Sequence, residues 1–154
     1  KIVDEPSAAN RVLKIQNGAI VDVGGGTTGI AIVEDGEIIY TGDEPTGGTH
    51  LNLVIAGRKD ISFEEAELYK IKHQEEIFEI VLPVIQKMAM IVRNHIGRRK
   101  VAIVHLVGGT SDLIGIENVM EDQLGIPVRK PSHPQLVTPL GIAMACLEGM
   151  SSYS

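Results

Sequence analysis

The sequence predicts an α/β domain with five strands, and three observations carry that reading. Apolar residues make up 44% of the 154-residue chain but aromatics only 3%, with no Trp, so the core is aliphatic, as in sheets covered by helices. Short apolar runs separated by turn residues fill the first third of the chain, whereas longer helical periodicity fills the middle. Two apolar runs end directly in glycine turns, Gly24-Gly25-Gly26 and Gly108-Gly109.

The elements follow in order. Lys1-Ile2-Val3 reads as the tail of a strand, and the lack of an initiating Met leads us to expect a piece of a larger protein. Pro6 opens a short helix over 6–14, because proline lacks an N–H that would go unpaired in a first turn anyway; Asn17-Gly18 is expected to stop it. Strands over 19–23, 28–34 and 37–43 form an antiparallel meander, with Asp35-Gly36 as a two-residue hairpin signal. Gly47-Gly48 precedes a helix near 49–56 that a left-handed Gly57 should end, leaving 58–61 as a loop.

Ser62-Phe63-Glu64-Glu65 has the spacing of a capping box and starts a helix over about 63–72. In 74–97, Ile77, Ile80, Val81, Val84, Ile85, Met88, Ile91, Val92 and Ile96 form one helical face, which Pro83 should kink or divide. Residues 101–107 read as a buried strand, followed by Gly108-Gly109-Thr110-Ser111 and a helix near 112–124. A strand, a glycine turn and a helix in succession is a ligand-binding geometry. A short strand at 125–128, a proline-rich turn, and a helix capped by Thr138-Pro139 and running to about 149 complete the chain.

Composition narrows the function. A chain of this length suits one domain. The net charge of -6 argues against broad binding to nucleic acid or anionic membrane, and the basic run Arg98-Arg99-Lys100 reads as a solvated connection. No stretch reaches the roughly twenty apolar residues of a membrane span, and no leader pattern opens the chain. The single Cys146 cannot form an internal disulfide, which fits a reducing cytoplasm, and it is expected to be buried helix filler. The five histidines lack metal-ligand spacing, and no Gly-x-Ser-x-Gly elbow is present.

The triple glycine raises the sharpest question. Three successive amides free of side chains can approach an anion, and Thr27 and Thr28 can add hydroxyl donors. Asp22, just before the turn, can hold magnesium through water. Taken alone, the motif is better explained as a tight turn beside a strand-end carboxylate. Neither standard phosphate fingerprint applies, since no Lys-Ser/Thr follows and the next segment reads as a strand. The second turn at 108–111 changes the balance, because it can contact a nucleoside or its α-phosphate.

On these residues the sequence resembles, nearly end to end, the actin, sugar-kinase and heat-shock-chaperone ATPase superfamily. Residues 4–9 are similar to its first connecting motif, 20–28 to its second phosphate motif, 107–116 to its adenosine motif and 134–145 to its second connecting helix. The Gly47-Gly48-Thr49-His50 turn and residues 61–70 and 133–143 are similar to a chaperone-like branch serving bacterial ethanolamine utilisation.

The resemblance implies a ribonuclease H-like, actin-type ATPase fold: a mixed five-stranded sheet with helices on both faces. The whole chain would be the second nucleotide-binding half, with a small helical insertion near 49–73. The implied ligands are ATP or ADP with Mg2+. Asp22 would organise the metal, Gly24, Gly25, Gly26, Thr27 and Thr28 would hold phosphate, and Glu5 would lie near the attacking water. Gly108, Gly109 and Thr110 would flank the nucleoside, which Glu67 and Lys70 would also touch; by spacing alone, those two are equally a solvated pair one helical turn apart.

This sequence departs from the superfamily pattern at three positions. Gly29 stands where many members carry a second metal-holding acid, Asp112 where chaperones stack an arginine on adenine, and Gln135 where the second connecting motif has an acid. The superfamily's other phosphate loop is absent, so hydrolysis is expected only of the two-domain protein. Implied partners are the first domain of the same protein and a client such as an ethanolamine-catabolic enzyme or microcompartment component, with no nucleic acid and no membrane. The alternatives are a non-hydrolysing interaction scaffold of the same fold and a filament-forming bacterial actin relative.

Overall fold

The computed structural model describes residues 4–151; the expected strand tail at 1–3 lies outside them. The five apolar runs become β1 (Gly18–Val23), β2 (Thr28–Glu34), β3 (Glu37–Glu44), β4 (Val104–Val107) and β5 (Val128–Arg129), joined in one sheet of order β3-β2-β1-β4-β5. The hairpins β1-β2 and β2-β3 are antiparallel, whereas β4 runs parallel to both β1 and β5. Asp35 and Gly36 both adopt positive φ, 50° and 80°, the hand that matches strand twist in a two-residue turn.

Side chains alternate across the sheet and define its two covered faces. Val21, Ile30, Ile32 and Leu106 face a large cluster with Leu51, Ile77, Val81, Ile85 and Ile116. These come from α2 (Gly48–Lys59), α4 (Gln74–Ile96) and α5 (Ile116–Leu124). Ile20, Ala31 and Val107 face the opposite way, packing with Ala9 and Val137 from α1 (Glu5–Leu13) and α6 (Val137–Ser151). Since Asp22 follows Ile20 by two residues, it shares this second face. The edge strand β3 is pinned to α4 by Tyr40, whose hydroxyl lies 2.6 Å from His95 Nδ1, while His95 Nε2 lies 2.7 Å from Glu44.

Side-chain caps set the starts of two helices. The Asp4 side chain caps α1 by accepting from the Ser7 amide at 2.9 Å. The capping box of α3 (Phe63–Lys72) forms in both directions: Glu65 N donates to Ser62 Oγ at 3.1 Å, and Ser62 N donates to Glu65 Oε2 at 2.9 Å.

Several expectations are corrected. Helix α1 stops at Lys14, which takes the left-handed conformation at φ 53°; Gly18 instead begins β1. Helix α2 passes through Gly57 and 58–59 and ends where Asp60 turns left-handed at φ 55°, because an aspartate can tolerate that conformation. Helix α4 is unbroken over 23 residues. Pro83 is exposed, so the carbonyl it frees one turn earlier can be met by water. The strand expected over 101–107 pairs only from Val104, and the helix expected near 112–124 begins at Ile116 after a four-residue 3₁₀ turn, Gly109–Asp112. The last helix begins at Val137, placing Thr138 and Pro139 inside its first turn. Cys146 is exposed on α6, not buried. No described helix is long and apolar enough to cross a membrane.

Candidate functional site

The parallel strands β1 and β4 finish side by side, with Asp22 opposite Val107, and each runs straight into its glycine turn. Neighbouring strand ends that leave a crevice are the ligand position of open α/β sheets.

The first turn is closed by Gly24 N donating to the Thr27 carbonyl at 3.0 Å. Its own carbonyls are engaged from behind. Gly24 O accepts from Gly48 N at 2.9 Å and from the Thr110 hydroxyl at 3.0 Å, while Gly25 O accepts from Thr49 N at 2.8 Å. The hairpin therefore caps α2, and the approach is so close that a Cβ on Gly47 would lie 2.5 Å from Gly24 O. Among the described residues, no hydrogen bond engages the amides of Gly25, Gly26 and Thr27, and all three residues are exposed. Adjacent free amides are suited to an anion.

Beside this turn sits Asp22, half-buried. Burial raises its carboxyl above the ordinary 3.8, and a hydrogen bond from Thr138 opposes that rise. The Thr138 hydroxyl donates to Oδ2 at 2.9 Å. The other oxygen, Oδ1, faces Gly108, whose φ is +96° and whose Cβ, if present, would lie only 2.4 Å from it. Position 108 thus needs glycine twice, for its left-handed backbone and for the room it leaves the carboxylate. Glu5, Asp22, Gly24, Gly25 and Thr27 line one cavity of about 550 Å³. Its donors are hard oxygens, and among the described residues no group of three or more His, Cys, Asp or Glu could cage a metal. This donor set fits a hydrated magnesium held through waters and a ligand's phosphates.

A second cavity, of about 440 Å³, is lined by Gly25, Gly109, Thr110, Asn52, Glu67 and Lys70, among others. It shares Gly25 and Gly109 with the first, so the two form one cleft with an Asp22 end and an α3 end. Helix α3 presents Glu67 and Lys70. Buried Asn52 of α2 donates from Nδ2 to Glu67 Oε2 at 3.3 Å, holding that carboxylate in place. Burial lowers the Lys70 ammonium below its usual range, and the Glu67 charge opposes the shift.

Ten of the twelve residues singled out from sequence line this crevice. Glu5, Asp22, Gly24, Gly25, Thr27, Gly108 and Gly109 line one end and Glu67, Lys70 and Thr110 the other, while Gly26, exposed in the hairpin turn, lines neither. Thr28 is not brought in: it is buried and its hydroxyl donates to the Thr46 carbonyl at 2.7 Å. The second turn also differs from expectation, since a 3₁₀ turn stands where an α-helix N-terminus was expected and α5 starts only at Ile116. Of the departures, Asp112 lines the α3 end and Gln135 the Asp22 end. Gly29 lies on the sheet between Asp22 and Asp43. Thr138 and Asn52 were missed as site residues. Thr138 had been given a role as a helix cap, and nothing in the local sequence marks Asn52.

The family described as cell division protein FtsA matches residues 19–141. Ethanolamine utilization protein EutJ of Escherichia coli (strain K12) is 45% identical over 143 residues, which cover 92% of this chain and 51% of that protein. The crystal structure of EutJ from Carboxydothermus hydrogenoformans superposes with a TM-score of 0.89 at 53% identity, covering 92% of this chain and 54% of that one. MreB5 of Spiroplasma citri bound to AMPPNP shares the fold, with a TM-score of 0.77 at 18% identity over 98% of this chain and 61% of that one. The chain spans about half the length of the curated relatives it matches.

Proposed function

The chain belongs to the family described as cell division protein FtsA and is a EutJ-like protein of the actin-type ATPase fold, and from that premise we propose that it is a nucleotide-binding half that takes ATP or ADP with Mg2+. The observation that carries this reading is the row of unengaged amides at Gly25, Gly26 and Thr27 beside the Asp22 carboxylate. The name of the Spiroplasma citri protein, bound to AMPPNP, supports the ligand class.

In this reading the three amides and the Thr27 hydroxyl donate to β- and γ-phosphate oxygens. Asp22 would be the residue that holds the hydrated metal, and Thr138, donating to Oδ2, fixes the carboxylate's orientation. A metal held there would supply charge neutralisation for the phosphates. Glu5, at the start of α1, lies on the same side and orients a water. Gly109 and Thr110 flank the nucleoside, while Glu67, held by Asn52, and Lys70 meet it from α3. Phosphoryl transfer needs charge on both sides of a closed cleft, so turnover belongs to the longer protein. By its likeness to EutJ, that protein serves ethanolamine utilisation through contact with a client, and nucleotide state sets the contact.

Calorimetry with Mg-ATP and Mg-ADP tests the proposal. Binding should be present in the chain, strongly reduced by Asp22→Ala, and reduced without loss of magnesium dependence by Lys70→Ala. Absence of heat with both nucleotides would overturn it. That outcome would favour a non-hydrolysing interaction scaffold, a reading supported by the exposed Leu136, Leu140 and Leu147 at and beyond the start of α6.

A further inference from the structure

The end of the sheet opposite the cleft carries a groove that the nucleotide reading does not use. Where α4 finishes and the chain returns to β4, Arg93, Arg98, Arg99 and Lys100 fall close together, all exposed. A chain of net charge -6 thus gathers here more than a quarter of its 14 Lys and Arg. Among the described residues, no ion pair engages any of them; the pairs that exist use Arg11, Lys59, His95 and Lys130. The dipole at the helix C-terminus accounts for Arg93, but the other three follow Gly97, beyond the helix end.

Arg99 is held in place: its guanidinium lies 4.4 Å from the Tyr40 ring centroid, and it donates to the His95 carbonyl at 3.4 Å. Beneath these cations lies a cavity of about 440 Å³ with Arg93, Arg99 and Lys100 on its rim and a floor in which Val101 and Ile126 are half-buried over the buried Ile96 and Leu124. It shares no residue with the nucleotide cleft.

Like charges crowded without counterions repel, and the half-buried Val101 and Ile126 leave apolar surface in contact with water that an apolar group of a partner would cover. We propose that this groove docks an acidic segment of a partner protein, its carboxylates meeting Arg93, Arg99 and Lys100 and one apolar side chain seating on the floor. Charge complementarity selects this occupant. A nucleic acid strand would need rings on which to stack its bases; no aromatic residue lines the groove, and the nearby Tyr40 ring is already covered by Arg99.

Fluorescence anisotropy on the full chain tests this, with a labelled peptide of Asp and Glu around one central Phe. The peptide should bind, weaken as salt rises, and lose at least about tenfold in affinity for the Arg93→Glu/Lys100→Glu protein, equivalent to about 1.4 kcal/mol. Replacing the peptide's Phe with Ser should weaken it as well. Ala102→Arg separates docking from bulk attraction: exposed Ala102 lines the groove, so the variant adds positive charge while filling the space, and peptide affinity should fall. The proposal is overturned if the peptide does not bind, if the double charge reversal leaves binding unchanged, or if Ala102→Arg tightens it. Tighter, groove-dependent binding of a single-stranded oligonucleotide or of phosphatidylserine vesicles would also overturn it.

Discussion

Asp22 shows how one residue ties the site's chemistry to the stability of the domain. Burial raises its carboxyl above 3.8, so the folded state holds the proton more tightly than the unfolded one. The resulting contribution to stability is fully present below pH 3.8 and is lost as pH rises through the folded value. Asp22→Asn keeps the shape and can still accept from Thr138, but removes the buried charge. Thermal melts should therefore show the variant more stable than the parent at pH 7, with the difference closing below pH 3.8. The same variant should lose the magnesium-dependent part of nucleotide affinity, and that part should grow in the parent as pH rises through the Asp22 titration. Gly108 is the complementary case. Gly108→Ala places a methyl on the Asp22 carboxylate and forces a left-handed alanine, a backbone cost of about 1–3 kcal/mol; the melting temperature should fall, and nucleotide binding should weaken with it.

Among the elements, α2 is the most informative because its two ends were read differently. Its start was legible, since Gly47-Gly48 precedes the helical run; that the hairpin carbonyls sit against these glycines was not. Its end was not, because a glycine late in a helical pattern reads equally as a left-handed cap or an interior residue, and Asp60 took the cap. Gly57 is consequently an exposed interior glycine whose added Cβ would meet nothing within 4 Å. Gly57→Ala should stabilise the domain by about 0.5–1 kcal/mol, read as a melting-temperature rise of about 2–4 °C per kcal/mol. The three N-terminal strands and the capping box were legible for a physical reason: their signals lie within a few residues of the structures they specify. The shortened β4 and the 3₁₀ turn were not, because pairing with β5 and the turn at Gly115 decide where they begin and end. Thr138 and Asn52 escaped for the same reason. The partner of Thr138 lies 116 residues away, and that of Asn52 sits on another helix.

For the molecule as a whole, a ligand that binds only the folded state raises its stability by mass action. Mg-ATP at one hundred times its dissociation constant should add about 2.7 kcal/mol, visible as an upward shift of the entire melting transition. Magnesium or nucleotide alone should shift it less, and Asp22→Asn with Mg-ATP should show no more than the shift that nucleotide alone gives the parent. The bond pattern around Gly24 sharpens this expectation. Its carbonyl is shared by the amide of Gly48 and the hydroxyl of Thr110, which belong to segments far apart along the chain and separated by α3 and α4. No local piece of the sequence can assemble that atom's surroundings by itself. The Asp22 end of the cleft is therefore expected to be among the last parts to form as the chain folds, and recovery of nucleotide affinity in a refolding time course should coincide with the final, slowest native signal instead of preceding it.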